Sequence, residues 1–84
     1  MPLSITNAIQ FVCEYIKAYN EASVGKFDKV IEHLTNIELQ VELSEFQKKT
    51  HCYIHQQITQ QSSPKIIAYY IVKAQESFML EVSK

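Results

Sequence analysis

The first apolar stretch of the chain has hydrophobic residues on two neighbouring faces and polar residues on a narrow strip. Its polar positions recur at spacings of three and four, which predicts one helix over residues 5–23. A surface helix needs an apolar stripe only about 100° wide. This helix must therefore be covered on two sides, either by the rest of this chain or by another chain. The polar strip is Asn7, Gln10, Glu14, Lys17 and Glu21; the first apolar stripe is Ile5, Ala8, Ile9, Val12, Ile16 and Tyr19; the second apolar stripe is Phe11, Tyr15, Ala18 and Ala22.

Capping signals surround this helix, and a second helical pattern follows it. Ser4 is a suitable N-cap, and Gly25 can end the helix because glycine adopts the left-handed conformation without a Cβ penalty. The next apolar positions again follow helical spacing, which predicts a second helix from Lys26 onward. The apolar stripe of that helix is Phe27, Val30, Ile31, Leu34, Ile37 and Val41.

Beyond Val41 the apolar stripe moves to another face. One interpretation is a break near Leu43, after which Ser44 caps a third helix and Gln47 completes a capping box. The other is a single long helix that meets different neighbours at its two ends. We prefer the break, although neither glycine nor proline enforces it. The stripe that takes over is Leu39, Leu43, Phe46, Tyr53, Ile54 and Ile58.

The clearest boundary in the chain is Ser62-Ser63-Pro64, since serine caps helices and proline fits the first helical position. The following run 66–72 is rich in β-branched and aromatic residues and could also form a buried strand, but a lone strand would have no pairing partner. The prediction is an all-α fold in a single domain, 1–84: a small antiparallel bundle of three or four helices at about 4–23, 26–42, 44–61 and 63–82. The last helix presents Ile67, Tyr70, Ile71, Ala74, Phe78 and Val82 on one face.

Composition narrows the class of protein. The chain has 84 residues, 46% of them hydrophobic, and its net charge is −1. All eight basic residues are lysines, so the forked arginine contacts that dominate nucleic-acid recognition are missing and no nucleic-acid partner is expected. The longest apolar run has seven residues, too few to cross a bilayer, and the N-terminus lacks a signal-peptide pattern, so we expect a cytoplasmic protein with no membrane partner. Cys13 and Cys52 are expected to be reduced, with at least one of them buried.

The stretch Ala18 to Leu39 resembles the helix–turn–helix unit of a tetratricopeptide repeat. Val30 departs from the pattern, because such a repeat has a small alanine there, and Thr59 and Pro64 rule out a second repeat 34 residues later. The resemblance implies a surface that holds a peptide or a partner helix, as in small bacterial secretion chaperones built from helical hairpins. The positions that carry it are Gly25, Phe27, Val30, Ile31, Leu34 and Leu39.

One cluster has residue types that support metal or thiol chemistry. His51 and His55 lie at i and i+4 on one predicted helix face, a spacing that can provide two zinc ligands. No carboxylate that could complete the site is evident, and Cys52 points about 100° away from His51. We interpret both histidines as surface residues and predict neither a metal, a cofactor nor an enzyme. A metal- or thiol-dependent enzyme that uses His51, Cys52 and His55 is the alternative from another class.

Aromatic residues give the functional prediction. Five tyrosines and four phenylalanines provide large contact areas at low entropic cost, either in the core or at an interface. We predict a small soluble protein-protein interaction module, such as a chaperone, adaptor or regulatory subunit, that forms homo-oligomers. A monomeric immunity- or inhibitor-type bundle remains the alternative. The predicted protein-contact residues are Phe11, Tyr15, Ala18, Ala22, Tyr69 and Tyr70.

Overall fold

A computed structural model describes the backbone of residues 5–82 and the side chains of residues 8–81. The described residues form four helices and no strand: α1 is Ile5–Ser23, α2 is Phe27–Gln40, α3 is Glu45–Thr59 and α4 is Pro64–Val82. The predicted all-α bundle is confirmed, with helix ends within one or two residues of the predicted positions. The strand-like run 66–72 lies inside α4. The predicted cap Ser4 and the side chains of Ile5, Asn7 and Val82 lie outside the described residues.

The turn after α1 is made by the glycine that the sequence indicated. Gly25 has a φ of +78°, in the left-handed region. The Gly25 and Lys26 N–H groups donate to the carbonyl oxygens of Ala22 and Glu21 at 3.0 and 2.9 Å. These bonds satisfy the last carbonyl groups of α1 and reverse the chain, so α2 packs back against α1.

The helix is interrupted between α2 and α3, so the alternative of a single long helix is excluded. Ser44 is the N-cap of α3, and its Oγ accepts a hydrogen bond from the Gln47 N–H at 3.2 Å. The same hydroxyl donates to Glu81 Oε1 on α4 at 2.6 Å. The Gln47 side chain does not return to Ser44, since it is fully buried and its Nε2 donates to the Ala74 carbonyl at 3.3 Å. The capping box is therefore formed on one side only.

The four helices do not pack equally against one another. α1 packs closely on both α2 and α4, and α3 packs on α4, whereas α2 and α3 barely touch. The ring centroids of Phe11 and Phe78 lie 6.2 Å apart, in an edge-to-face pair across α1 and α4. The core thus lies between the helices, and a groove remains between α2 and α3. The buried apolar residues are Ala8, Phe11, Tyr15, Ala18, Ala22, Val30, Leu34, Ile37, Leu43, Ile54, Ile67, Ala68, Ile71, Ala74 and Phe78.

The inner face of α3 corrects the sequence prediction. Phe46 and Tyr53 of α3 were expected in the core but are 61% and 39% exposed. Leu39 of α2 was expected in the same apolar stripe and is 80% exposed. Gln47 and His51 are buried in their place. The predicted apolar stripe fails here because the buried hydroxyl of Tyr15 requires hydrogen-bonding partners, and α3 provides them.

The cysteines and the polar strip also differ from expectation. Cys13 and Cys52 are both exposed free thiols, which corrects the expectation that at least one is buried. The polar strip of α1 does not face water along its whole length, because Glu14 Oε2 lies 3.0 Å from Nδ1 of His33 on α2. Burial raises the pKa of Glu14, but its contacts with His33 outweigh this and, with Asn36 and Lys17, lower the pKa below its ordinary value.

Candidate functional site

The structure reverses the roles of the two apolar stripes on α1. Tyr15, Ala18 and Ala22 are fully buried, and Phe11 is 6% exposed. These four predicted protein-contact residues therefore lie in the core of the chain itself, and they offer no surface to a partner. The two alanines explain this placement, since small side chains allow neighbouring helices to approach α1 closely.

The first apolar stripe of α1 instead lies largely at the surface, although its Ala8 is buried. Ile9, Ile16 and Tyr19 are 58%, 44% and 40% exposed, and Val12 between them is half-buried. Large aliphatic side chains are normally buried during folding, and exposed contiguous patches mark interaction sites. The sequence predicted that α1 is covered on two sides. On this side, the described residues do not cover it.

Helix α4 extends this surface. A shallow cavity of about 380 Å³ runs between the C-terminal half of α1 and the N-terminal half of α4. Tyr69, one of the predicted contact residues, is 55% exposed beside it. We call the combined surface the outer α1–α4 face; it is formed by Ile9, Val12, Ile16, Tyr19, Tyr69 and Val72.

The two adjacent tyrosines of α4 have different surroundings. Tyr70 is partly buried and packs on Tyr53 of α3, with ring centroids 4.6 Å apart. Tyr69 projects outward, and Nζ of Lys73 lies 5.3 Å from the centroid of its ring. Of the six predicted contact residues, Tyr69 is the one with a largely accessible side chain, while Tyr70 joins α3 to α4.

On the other side of α1, a chain of hydrogen bonds connects the core to the α2–α3 groove. The Tyr15 hydroxyl lies 2.6 Å from Nε2 of His51 and 3.3 Å from Oε1 of Gln47. Nδ1 of His51 lies 2.8 Å from Oε2 of Glu38, and Nε2 of His55 lies 3.1 Å from the same oxygen. One carboxylate on α2 thus joins both histidines of α3.

Burial determines the protonation states of the residues in this hydrogen-bond network. It raises the pKa of Tyr15, and the charges of Glu38 and Glu81 raise it further. Burial also lowers the pKa of His51, although Glu38 opposes this through its hydrogen bond and charge. His51 is therefore neutral near pH 7, with Nδ1–H donating to Glu38 and Nε2 accepting a hydrogen bond from the Tyr15 hydroxyl. Since Tyr15 is fully buried, this hydrogen-bond network holds the helices together, and the Tyr15 hydroxyl is not accessible to a substrate.

The structure places His51, Cys52 and His55 along the α2–α3 groove with different exposure. His51 is 2% exposed, which corrects its interpretation as a surface residue, and His55 is half-buried. Cys52 is an exposed free thiol, with Sγ 4.0 Å from Nε2 of Gln56. Within residues 5–82, no three or more His, Cys, Asp or Glu side chains are grouped so that they could hold a metal ion.

Sequence reasoning missed Glu38 and Gln47. Gln47 was predicted only as a capping-box residue, and Glu38 was not among the predicted site residues. The available signal in the sequence was Tyr15, which shares its apolar stripe with Ala18 and Ala22. A tyrosine that is buried with such residues must bring its hydroxyl to a polar partner. The sequence does not identify that partner, since Glu38, Gln47 and His51 come from two other helices.

Comparisons with protein-family models, with curated proteins and with solved structures found no match for this chain. Within the described part of the chain, no helix is both long enough and apolar enough to cross a membrane.

Proposed function

We propose that this protein is a small helical protein-interaction module that self-associates through the outer α1–α4 face. The observation that carries the proposal is the exposure of Ile9, Ile16 and Tyr19 along one side of a helix whose other apolar stripe is already fully packed. An adaptor, chaperone or regulatory subunit is the class of protein that such a surface serves. We further propose a cytoplasmic location.

The size of the face supports a modest affinity. α1 and α4 have 19 residues each, which corresponds to a length of about 28 Å. Two helices, each about 10 Å wide with their axes roughly 9 Å apart, then give a face on the order of 500 Å². A symmetric pair would bury on the order of 1,000 Å² in total, near the lower limit for a specific interface. We therefore expect a dimer with a dissociation constant in the micromolar range.

Charge at the centre of a dimer interface should break the dimer. In Ile16→Glu, two carboxylates would be brought into an apolar contact and lose their hydration there. Sedimentation equilibrium should show the parent chain as a concentration-dependent dimer and Ile16→Glu as a monomer of unchanged helicity. The matched control is Leu39→Glu, since Leu39 is an 80% exposed aliphatic residue on α2, away from this face. A parent chain that stays monomeric at high micromolar concentration contradicts self-association, and equal effects of both variants contradict the assigned surface.

The two exposed cysteines provide an internal reporter. Cys13 lies one helical turn from both Ile9 and Ile16, whereas Cys52 lies on α3. As protein concentration rises, the alkylation rate of Cys13 should fall and that of Cys52 should stay constant. Equal protection of both thiols would instead indicate non-specific aggregation.

A further inference from the structure

The groove between α2 and α3 is a second cavity, separate from the outer α1–α4 face. It has a volume of about 540 Å³, within the range of roughly 300–1,000 Å³ typical of sites for small ligands or a few side chains. It exists because α2 and α3 barely touch while both are held by other helices. Its walls include Glu38, Val41, Glu42, Leu43, Cys52 and His55.

The charge of the groove is negative. Glu38 lies in the last turn of α2 and Glu42 just after the helix, and both line the groove; the structure shows no ion pair or hydrogen bond for Glu42 among the described side chains. The groove lies at the C-terminal end of α2, where the helix dipole is negative and the last turn has no basic residue. Lys48, the lysine at the groove, has its Nζ 3.5 Å from Oε1 of Glu45, a carboxylate that is not part of the groove's lining.

Apolar surface lies beside these carboxylates. Leu43 and the half-buried Val41 form part of the wall, and Leu39, near the end of α2, is 80% exposed. A strongly hydrated ion would gain little from such walls. A guanidinium group is more weakly hydrated than an ammonium group, and its planar fork pairs with a carboxylate through two N–H groups.

We propose that the α2–α3 groove binds an arginine side chain, flanked by apolar residues, from a segment of a partner protein. The guanidinium pairs with the Glu42 carboxylate, and the neighbouring apolar side chains lie against Val41 and Leu43. The inference deepens the proposed function, since it gives the self-associating module a separate site for a second protein. A dimer through the outer α1–α4 face would present two such grooves.

The test uses a capped peptide, acetyl-Ala-Leu-Arg-Leu-Ala-amide, with the full chain. Titration followed by ¹⁵N-resolved NMR should shift the amide signals of Val41, Glu42 and His55 in a saturable manner. The same peptide with citrulline, a neutral isostere of arginine, should bind about threefold to fivefold more weakly. No saturable shift at millimolar peptide overturns the proposal, as does equal binding of the citrulline peptide.

Protein variants locate the contact and separate it from self-association. Glu42→Gln should weaken the arginine peptide about threefold to fivefold and leave the citrulline peptide unchanged. Glu32→Gln is the control, since Glu32 is an exposed carboxylate of α2 that pairs with Lys29 at 3.6 Å, outside the groove. Ile16→Glu should bind the peptide as the parent does. If Ile16→Glu is monomeric and still binds, both proposals stand; if the parent is monomeric yet binds, only self-association fails. If the peptide shifts signals of the outer α1–α4 face instead, the groove assignment fails.

Discussion

The two apolar stripes of α1 differ in a way that hydrophobicity alone does not explain. The buried stripe contains two alanines and a tyrosine with a polar hydroxyl, whereas the exposed stripe contains the larger aliphatic residues Ile9 and Ile16. Alanine allows close approach of α2 and α4, and Tyr15 finds partners on α3. Close packing and satisfied hydrogen bonds therefore decide which stripe is inside. The remaining stripe is apolar, accessible and available for contact with another molecule.

The largest difference between the stripes should appear on truncation. Phe11→Ala removes a side chain that packs edge-to-face on Phe78, and it should lower the free energy of unfolding by about 3–5 kcal/mol because a cavity is left. Ile9→Ala removes a side chain that is 58% exposed, and it should change the free energy by less than about 0.5 kcal/mol. Urea denaturation at low micromolar protein measures both.

A loss of this size is comparable to the whole stability of a small domain, so Phe11→Leu provides the second variant. It should be destabilised by an amount between those of Ile9→Ala and Phe11→Ala, and it keeps the transition measurable. If Phe11→Leu and Ile9→Ala unfold at the same urea concentration as the parent, the assignment of inner and outer stripes is wrong.

A smaller effect is expected from removing one oxygen. Tyr15→Phe leaves Nε2 of His51 and Oε1 of Gln47 without the hydroxyl partner, which should cost about 1–3 kcal/mol. Tyr19→Phe makes the same chemical change on the exposed stripe, and its effect should stay within about 0.5 kcal/mol. Thermal or urea unfolding of the pair measures the difference. Equal effects would show that the buried hydroxyl contributes nothing beyond the ring.

Much of the fold follows from local sequence signals. Gly25 ends α1, Ser44 caps α3, and α4 starts at Pro64, because each acts within its own turn and needs no distant partner. The choice between two adjacent stripes is different in kind. It depends on which neighbour packs against α1, and the helical period fits both stripes equally well.

The candidate sites were harder to predict for the same reason. Glu38, Gln47 and His51 are polar in the sequence and become an internal network only when three helices meet around Tyr15. The outer α1–α4 face combines residues about 50 positions apart in the chain. The resemblance of Ala18 to Leu39 to a tetratricopeptide repeat stays a prediction, and the α2–α3 groove lies largely beyond that stretch.

The smallest and most gradual expected effect is a change in the free energy of unfolding with pH. It arises on the buried side of α1, where Tyr15 contacts His51. Burial lowers the pKa of His51 below its ordinary value of 6.5, opposed by the hydrogen bond to Glu38, so the unfolded chain takes up this proton first as pH falls. The free energy of unfolding should therefore fall as pH decreases below about 7, and this loss should level off below the folded-state pKa.

The groups facing His51 are Tyr15 on α1, Glu38 on α2 and His55 on its own helix, with the charge of Glu81 on α4 acting on Tyr15. The Glu14 contribution comes later, because its lowered pKa places the loss below pH 4.5. Urea titrations at about pH 8 and about pH 5.5 should show a smaller pH difference for His51→Gln than for the parent. A His51→Gln variant with the parent's full pH difference would show that His51 is not the group that couples protonation to folding.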